Sequence, residues 1–485
     1  MAPGPIHTAP RPGPDRAEPT ERRWTRRARV GSWAGIAATV VAVVLVHGRN
    51  LGQPLAFDDY LWLDERPTGI GQVLGTLTPP AGAGIYRPLL ALWFDATHAL
   101  FGPRALPLHL FGLGAAIALA LAVRWMAREV GLGVGASTVA GIFAGTNGCL
   151  AIATMWSAAT PSLAMGACAA VAIALVQRPG GRRHLAAGAV LLVAILWRDS
   201  AVTVPAMATL LVLARIDRRS GRRLDLRGAL RSTGTLWVVS GAYVALRIAR
   251  GLLTAPSDDG YRSELGAHVV RNLATVLRYT GQFGMYRRGG SVEGAAMAAL
   301  VVALWGALLL GSVLAARRGH LLPAAGLVAY GIGIAPFLGL VNHPMETYYV
   351  EAGILGLSVT VGALVEWISP RPAVVVGGTV LFVVAMMVTA KVVDDRHWIN
   401  RYQARAAVLT ESARAHPVAG GTLVVEEACP DDDEITRDGA LFRVVLDRPT
   451  LRVRFRALAP GSRPTTPWGC RSDPPAPPRR APVSR

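Results

Sequence analysis

The sequence predicts an all-α membrane protein that crosses the bilayer about eleven times. Three observations support this: 52% of the 485 residues are hydrophobic, 17% are charged, and long apolar runs separated by short arginine-rich loops fill residues 30–391. Soluble domains usually carry about 25% charged residues, and a helix needs about 20 mainly apolar residues to cross a bilayer. The composition therefore excludes an ordinary soluble enzyme, and the apolar fraction also excludes a disordered chain.

Each long apolar run is interpreted as one membrane span. The fifth and sixth spans are short and meet at Arg198 and Asp199, so a broken pair of helices is an alternative there. The expected spans lie near residues 31–47, 105–123, 134–152, 158–177, 185–197, 201–215, 233–250, 293–315, 321–341, 350–367 and 373–391. An odd number of crossings places the two ends of the chain on opposite sides of the membrane.

The net charge of +19 is interpreted as a signal of membrane topology, so nucleic acid is not an expected partner. Arginines at 22, 23, 26, 27 and 29 precede the first span, and alternate loops after it are also rich in arginine. Because loops rich in Lys and Arg stay in the cytoplasm, we expect a cytoplasmic N-terminus and an extracytoplasmic C-terminus. Lys391 is the only lysine among 50 basic residues, which is typical of high-G+C bacteria and predicts a bacterial plasma (inner) membrane.

Composition divides the chain into four parts. These are a disordered basic cytoplasmic leader (1–29), the membrane domain (30–391) with a long outer loop (48–104), a small extracytoplasmic unit (392–471) and a disordered tail (472–485). The polar leader is long for a signal peptide and no convincing cleavage site follows it, so we interpret the first span as an anchor.

The small C-terminal unit is predicted to combine helix and strand. A helix is expected over about 396–415, a strand over Thr422–Glu426 and a second periodic segment over Gly439–Arg456. Cys429 and Cys470 both lie in this unit, on the oxidising side of the membrane, and a disulfide between them fits that compartment.

The first outer loop carries an acidic pair and then an arginine. Asp58 and Asp59 follow the first span by about ten residues, at a depth where a carboxylate can act as general base on a hydroxyl. Adjacent residues point in different directions, so we expect one of the two to serve, and a helix N-cap is the alternative. Arg87 precedes Pro88, which starts an expected interfacial helix over 88–101, and either binds phosphate or anchors that helix.

Two later motifs are expected on the same side of the membrane. Arg198 and Asp199 lie between two spans, where they either serve a site or form a self-satisfied turn. Glu346 and Tyr348 lie in a short outer loop. The acidic run 431–434 fits a divalent cation or, as we expect, a solvated loop, and the sequence requires no metal or other cofactor. Charged and aromatic groups at one membrane level favour a reaction on a lipid headgroup.

In this order, the motifs resemble those of the polytopic GT-C glycosyltransferase superfamily, and within it the protein O-mannosyltransferase-like branch. The resemblance covers residues from about 30 to 400. The matching stretches are Asp58-Asp59, Tyr86-Arg87-Pro88-Leu89, Phe101-Gly102, His109, Trp156, Arg198-Asp199-Ser200-Ala201 with Pro205, and Pro336-Phe337 with Tyr348-Tyr349.

The resemblance implies transfer of a sugar from a polyprenyl-phosphate donor to an unknown glycan, lipid or protein acceptor on the extracytoplasmic side. It implies that Asp58 or Asp59 is the base and that the anomeric centre is inverted. Arg87 and Arg198 would stabilise the donor phosphate. The implied positioning residues are His109, Asp199, Glu346 and Tyr348.

Departures from the family pattern keep two alternatives open. Gly112 and Ala116 replace an Asn and a His, Asn147-Gly148 replaces a His-Pro pair, and small residues around Thr160 and Ser162 replace an Arg and an Asp. A catalytically silent scaffold of the same fold is one alternative, and a transporter or flippase for an envelope lipid or glycan is the other. Charges at the outer edge and the absence of a sequence repeat favour the enzyme over the transporter.

Overall fold

The computed structural model describes residues 19–64, 70–78, 86–220, 225–251, 264–281, 292–341, 345–368, 371–396, 398–415 and 421–457. Within these ranges the chain forms nineteen α-helices and two β-strands. The helices are α1 Pro19–His47, α2 Asp58–Asp64, α3 Ile70–Thr76, α4 Pro88–Phe101, α5 Ala105–Glu129, α6 Val134–Thr146, α7 Ala151–Met155, α8 Pro161–Val176, α9 Gly181–Trp197, α10 Val204–Ser220, α11 Leu226–Ala249, α12 Ala267–Gly281, α13 Val292–Arg317, α14 Leu322–Leu338, α15 Glu351–Ile368, α16 Pro372–Arg396, α17 Trp398–Ala415, α18 Asp432–Thr436 and α19 Ala440–Val445. The strands are β1 Thr422–Ala428 and β2 Arg452–Ala457.

The helices confirm a multi-pass membrane protein. Seven segments of the described chain are long and apolar enough to cross a bilayer: Gly31–Gly52, Ala105–Glu129, Val134–Met155, Ser157–Val176, Ala298–Arg317, Thr347–Ile368 and Pro372–Lys391. The other four predicted spans coincide with α9, α10, α11 and the shorter apolar helix α14. The total of eleven crossings stays a prediction.

Helix α1 begins at Pro19, inside the segment 1–29 that the sequence predicts to be a disordered leader, and the leader stays a prediction. Proline at the first helical position and Glu21 in the first turn both favour a helix start. The arginines that follow are good helix formers. Residues 1–18 and the predicted tail lie outside the described residues.

Central and peripheral helices differ in burial. In their most apolar windows, Val134–Met155 and Thr347–Ile368 are 89% buried, whereas Ala298–Arg317 is 17% buried and so presents apolar side chains outward. Helices α14 and α15 pack closely through glycines: a Cβ on Gly333 would lie 2.4 Å from the backbone nitrogen of Gly353. This close contact places the first residue of α15 at one end of the central bundle.

A second, smaller core joins the first outer loop to the C-terminal segment. Its fully buried side chains come from α2, α4, α17, α19 and β1, and include Leu63, Leu90, Phe94, Leu409 and Phe442. Helix α4 starts at Pro88, as predicted. Its buried face packs against the other elements of this core.

The C-terminal elements fall close to the predicted ranges. Helix α17 and strand β1 lie where a helix and a strand were expected, and the second periodic segment divides into α19 and β2. The two strands pair in parallel, with Thr422 opposite Arg452. Cys429 is disulfide-bonded, and Cys470, its predicted partner, lies outside the described residues. The boundaries between the four parts of the chain stay a prediction.

Candidate active site

The two carboxylates of the acidic pair at the start of α2 have different surroundings. Asp59 is fully buried: its Oδ2 accepts a hydrogen bond from the N–H of Ala56 (3.1 Å), and its Oδ1 accepts one from the N–H of Ala158 (2.8 Å). Burial raises the pKa of Asp59 to about 8, although the backbone donors act in the opposite direction. Asp59 therefore joins the loop before α2 to the turn at 157–159.

Asp58 lies nearer to solvent and is 24% exposed. The Nε of Arg437 donates a hydrogen bond to its Oδ1 at 2.6 Å, and the Nη2 of the same arginine donates to the same oxygen. The guanidinium carbon of Arg437 lies 3.6 Å from the ring centre of Phe57. Of the two predicted bases, Asp58 is the one that a substrate can approach.

Arg198 is buried at the break between α9 and α10, with 3% of its side chain exposed. Its Nη1 lies 3.0 Å from Oε1 of Glu351 and donates a hydrogen bond to the Oγ of Ser162. Three aromatic rings surround the guanidinium carbon at 5.0 to 5.3 Å: Phe337, Tyr348 and Tyr349. Rings at this distance attract a cation, so they stabilise the charge in the low-dielectric interior.

Glu351 is the fully buried first residue of α15. Its Oε1 lies 3.4 Å from the Oγ of Ser200, and its Oε2 has no hydrogen-bond partner among the described residues. The charge of Arg87 acts on Glu351 together with that of Arg198. The start of α4, the break after α9 and the start of α15 therefore contribute charges to one place.

Asp199 belongs to an adjoining group of side chains. Tyr86 stacks on Tyr243 of α11, with ring centres 6.2 Å apart and planes at 21°. The charges of Asp199 and Arg247 both act on Tyr243, and Arg247 is buried. Because Tyr86 directly precedes Arg87 in the chain, the two groups adjoin. We call Arg87, Arg198 and Arg247, with the carboxylates Asp199 and Glu351, the arginine cluster.

A row of aromatic side chains connects the acidic pair to the arginine cluster. The ring of Trp156 lies 6.1 Å from that of Phe57 and 6.0 Å, edge to face, from that of Tyr348. Tyr348 in turn contacts the guanidinium of Arg198. Trp156 is thus shared between the segment that carries Asp58 and the cluster that carries Arg198.

His109 and Glu346 are less directly placed. His109 is buried in α5, and its imidazole faces the backbone of Gln53, Pro54 and Thr154 rather than another predicted site residue. Glu346 is buried just before the turn Thr347–Val350, which carries Tyr348. The positioning roles implied for both residues stay predictions.

The acidic run at 431–434 is not simply a solvated loop, so that expectation is wrong for Asp432. The Asp432 carboxylate is fully buried and accepts hydrogen bonds from Nε (2.7 Å) and Nη2 (2.6 Å) of Arg405. Within the described ranges, no group of three or more His, Cys, Asp or Glu side chains is arranged to hold a metal ion.

Sequence reasoning missed three residues of this region: Glu351, Arg247 and Arg437. Glu351 and Arg247 fall near the ends of predicted spans, and neither was predicted to be a site residue. A charge at the end of an apolar span needs a partner, and this signal pointed to both. Arg437 lies 379 residues from Asp58 in sequence, and no local pattern connects them.

No family model matches the chain, and no curated protein matches it. Two solved structures to which the chain is similar are ArnT from Cupriavidus metallidurans bound to undecaprenyl phosphate and the apo oligosaccharyltransferase from Archaeoglobus fulgidus. For ArnT the identity is 12%, the TM-score 0.45, and the match covers 87% of this chain and 85% of ArnT. For the archaeal protein the identity is 11%, the TM-score 0.43, and the match covers 87% of this chain and 64% of the other, so the chain spans just under two thirds of its length.

Proposed function

We propose that the protein is a membrane glycosyltransferase that moves a sugar from a polyprenyl-phosphate donor to an acceptor on the extracytoplasmic side. The proposal places the acidic pair and the arginine cluster at the outer end of the bundle, in a bacterial plasma membrane with the N-terminus in the cytoplasm. The assignment to the O-mannosyltransferase-like branch of the GT-C superfamily rests on the motifs and belongs to the proposal.

The arginine cluster is the observation that carries this proposal. Three guanidinium groups against two carboxylates leave a net charge of +1 (3 − 2 = 1) beside aromatic rings. Arg198, Arg247 and Glu351 are buried, and Arg87 and Asp199 are half-buried. A phosphate that leaves during transfer gains negative charge, and pre-arranged cations stabilise that charge best where water is excluded. The buried Oε2 of Glu351 has no partner among the described residues and suits a hydroxyl of the donor sugar.

The proposed step is a direct displacement at the anomeric carbon. The acceptor hydroxyl oxygen forms the new bond to this carbon while its proton passes to the carboxylate of Asp58. The bond between the anomeric carbon and the phosphate oxygen breaks, and its electron pair leaves with the polyprenyl phosphate, which Arg87 and Arg198 stabilise. One displacement inverts the anomeric configuration. Asp58 then returns its proton to water.

Asp58 is a better base for this step than Asp59. A base must come within hydrogen-bond reach of the proton that it accepts. Both oxygens of Asp59 already accept backbone hydrogen bonds in a fully buried position, and burial raises the pKa of Asp59 to about 8, so it is mainly protonated at pH 7. Asp58 is part-exposed beside a cation that favours its ionised form.

The test uses the full-length protein in lipid nanodiscs, labelled polyprenyl-phosphate sugars, and an envelope extract as the source of acceptors. The measured quantity is polyprenyl phosphate released with transfer of the label. We expect Asp58→Asn to lower release at least a hundredfold while the melting temperature stays within a few degrees, because a general base contributes about 10²–10⁴-fold.

Arg443→Gln is the matched control, because Arg443 pairs with the other end of α2, at Asp64. It should release polyprenyl phosphate like the wild type. Equal release by Asp58→Asn and the wild type would reject Asp58 as the base. Movement of labelled donor across the bilayer of proteoliposomes, without release, would instead identify a flippase.

A further inference from the structure

We propose that Arg437, supplied by the C-terminal segment, is a positioning residue that holds Asp58 in its working orientation and keeps it ionised. This inference rests on the proposed function. It makes the C-terminal segment a component of the active site rather than an appendage beside it.

The contact between Arg437 and Asp58 is specific in geometry. Two nitrogens of one guanidinium, Nε and Nη2, donate to the same oxygen, Oδ1, which fixes that oxygen in direction. The guanidinium is itself held against Phe57, because its central carbon lies over the ring, 3.6 Å from the ring centre. Phe57 also contacts Trp156, so the arginine sits on the aromatic row that leads to the arginine cluster.

The backbone that presents Arg437 is strained. Arg437, Asp438 and Gly439 have successive φ angles of 50°, 51° and 85°, in the left-handed region that favours glycine. A residue with a side chain is strained in such a conformation, and the strain persists only where the surroundings enforce it. Strain of this kind is concentrated at functional sites. Glu427 and Asp447 of the same segment also have positive φ angles, and among these strained positions it is Arg437 whose side chain contacts Asp58.

The strained turn is supported by a buried anchor. The N–H groups of Arg437 and Asp438 donate to the carbonyls of Glu434 (3.1 Å) and Asp433 (2.9 Å) in α18. Helix α18 is held in turn by Asp432, which accepts hydrogen bonds from Arg405 and from the N–H of Cys429 (2.8 Å). A rigid support of this kind holds a functional side chain in place, as a positioning role requires.

A neighbouring ion pair shows what an ordinary contact across the same interface looks like. Arg443 of α19 donates to Asp64 at 2.7 Å, and the two side chains are 20% and 15% exposed. This pair joins the same two parts of the chain as Arg437 and Asp58. Asp64 lies six residues beyond Asp58 in α2, or about 9 Å along the helix axis. Arg443 therefore controls for any effect of loosening the interface.

Loss of the Arg437 charge should alter the pH dependence of transfer. At least four elements pack against α2: α4, α19, the turn 157–159 and α17, whose Arg414 acts on Tyr60. The turn carries no charged side chain. Asp59 is the neighbour of Asp58 on α2 itself, and its charge interacts with that of Asp58. The titratable and charged groups on these elements and on the adjoining turn are Asp59, Tyr60, Asp64, Asp95, His98, Arg401, Tyr402, Arg405, Glu411, Arg414, Arg437, Asp438 and Arg443. Arg437 is the cation in direct contact with Asp58, and an opposite charge in contact lowers a carboxyl pKa by about 1–3 units.

The experiment compares Arg437→Gln, Arg437→Lys and Arg443→Gln in full-length protein in nanodiscs, with kcat and donor KM measured from pH 5 to 9. We expect Arg437→Gln to lower kcat about tenfold, to leave donor KM within about twofold, and to move the acid limb of the kcat profile up by about one pH unit. Arg437→Lys restores the charge and hence the acid limb, but not the full kcat, because lysine lacks the planar group. Arg443→Gln should match the wild type.

The outcomes separate this inference from the proposed function. Equal kcat and equal pH profiles for Arg437→Gln and Arg443→Gln would overturn the role of Arg437, even if Asp58→Asn is inactive. A lower kcat with an unmoved acid limb and a lower melting temperature would also overturn it, because that pattern reports structure alone. If the wild type itself transfers no sugar from any labelled donor, the proposed function fails first.

Discussion

Two arginine–carboxylate pairs occupy the two ends of the aromatic row, and they differ mainly in burial. The side chains of Arg198 and Glu351 are 3% and 0% exposed, whereas those of Arg437 and Asp58 are 33% and 24% exposed. Both guanidinium groups contact aromatic rings. The same chemistry is therefore repeated once inside the bundle and once where water reaches it.

Because the two pairs differ in burial, they suit different roles. Removing two charges from water is costly, and one charge left alone in the interior costs more still. The buried pair is thus hard to rearrange and suits a fixed positive site for a phosphate. The half-exposed pair is weak in stability terms, as surface pairs are, so its carboxylate remains available to exchange a proton with an acceptor.

Removal of the buried carboxylate should have the largest effect. Glu351→Ala leaves Arg198 without its partner, and breaking a buried pair in this way costs about 3–5 kcal/mol. We expect the variant to melt far below the wild type in detergent and to elute partly aggregated from a sizing column.

The double variant Arg198→Met with Glu351→Leu supplies the control for that prediction. It removes both charges and so should recover much of the lost melting temperature, without recovering transfer. A single variant Glu351→Ala that melts within two degrees of the wild type would show that the pair is not the costly element that its burial indicates.

A change from arginine to lysine tests the shape of the buried cation rather than its charge. Arg198→Lys keeps one positive charge near Glu351 but loses the planar group between three rings and the hydrogen bond to Ser162. We expect donor KM to rise about tenfold or more, since lysine loses the planar fit to phosphate and a hydrogen bond to a charged group contributes about 1.5–3 kcal/mol.

Arg124→Lys is the matched control for Arg198→Lys. Arg124 is also buried, but it bonds Ser32 and Thr138 far from the candidate site. The Arg124→Lys variant should melt at a lower temperature than the wild type and keep the same donor KM. Equal rises in donor KM for the two variants would contradict a role of Arg198 in donor binding.

Sequence patterns predicted the helices well because the signals of a helix, apolar length and a proline at its start, lie within the segment itself. Apolar length located a helix at every expected span, and Pro88 marked the start of α4. Motif order likewise predicted that Arg87, Arg198 and Tyr348 belong to one region, and the structure brings them together around Glu351 and Tyr349.

Such patterns do not predict contacts between residues that lie hundreds of positions apart in the chain. The choice between Asp58 and Asp59 depends on Ala158 and Arg437, which lie 99 and 379 residues away. Periodicity shows which face of an element is apolar, but not which distant backbone N–H or guanidinium meets it. For the same reason, the acidic run at 431–434 was interpreted as a loop in water when it contains the buried anchor Asp432.

Asp59 is a third carboxyl to compare with Asp58 and Glu351. It is buried, and its hydrogen-bond donors among the described residues are backbone N–H groups. Its pKa is raised to about 8 by burial, above an unfolded value near 3.8, so the folded state binds the extra proton between these values. Stability contributed by this group is therefore full below about pH 4 and declines as pH rises toward 8, by at most about 1.4 kcal/mol per pH unit.

Asp59→Asn removes that titration and one of the two backbone acceptors. At pH 5 the variant should be about 1–2 kcal/mol less stable than the wild type, because one buried N–H loses its partner. The difference in melting temperature should then shrink and change sign as pH rises from 5 to 8, because only the wild type loses stability through this titration. A difference that stays constant over this range would mean that Asp59 does not titrate there.

The smallest effect is expected for the ordinary interface pair. Arg443→Gln removes a part-exposed contact to Asp64, and such pairs contribute about 0.2–1 kcal/mol. Added salt should weaken the wild-type pair and bring the two proteins closer in melting temperature. A loss as large as that of Glu351→Ala would instead show that the exposed pairs hold the C-terminal segment in place. In that case burial would not separate the two ends of the aromatic row, and Arg437 would have to be judged by its effect on kcat at a stability matched to that of Arg443→Gln.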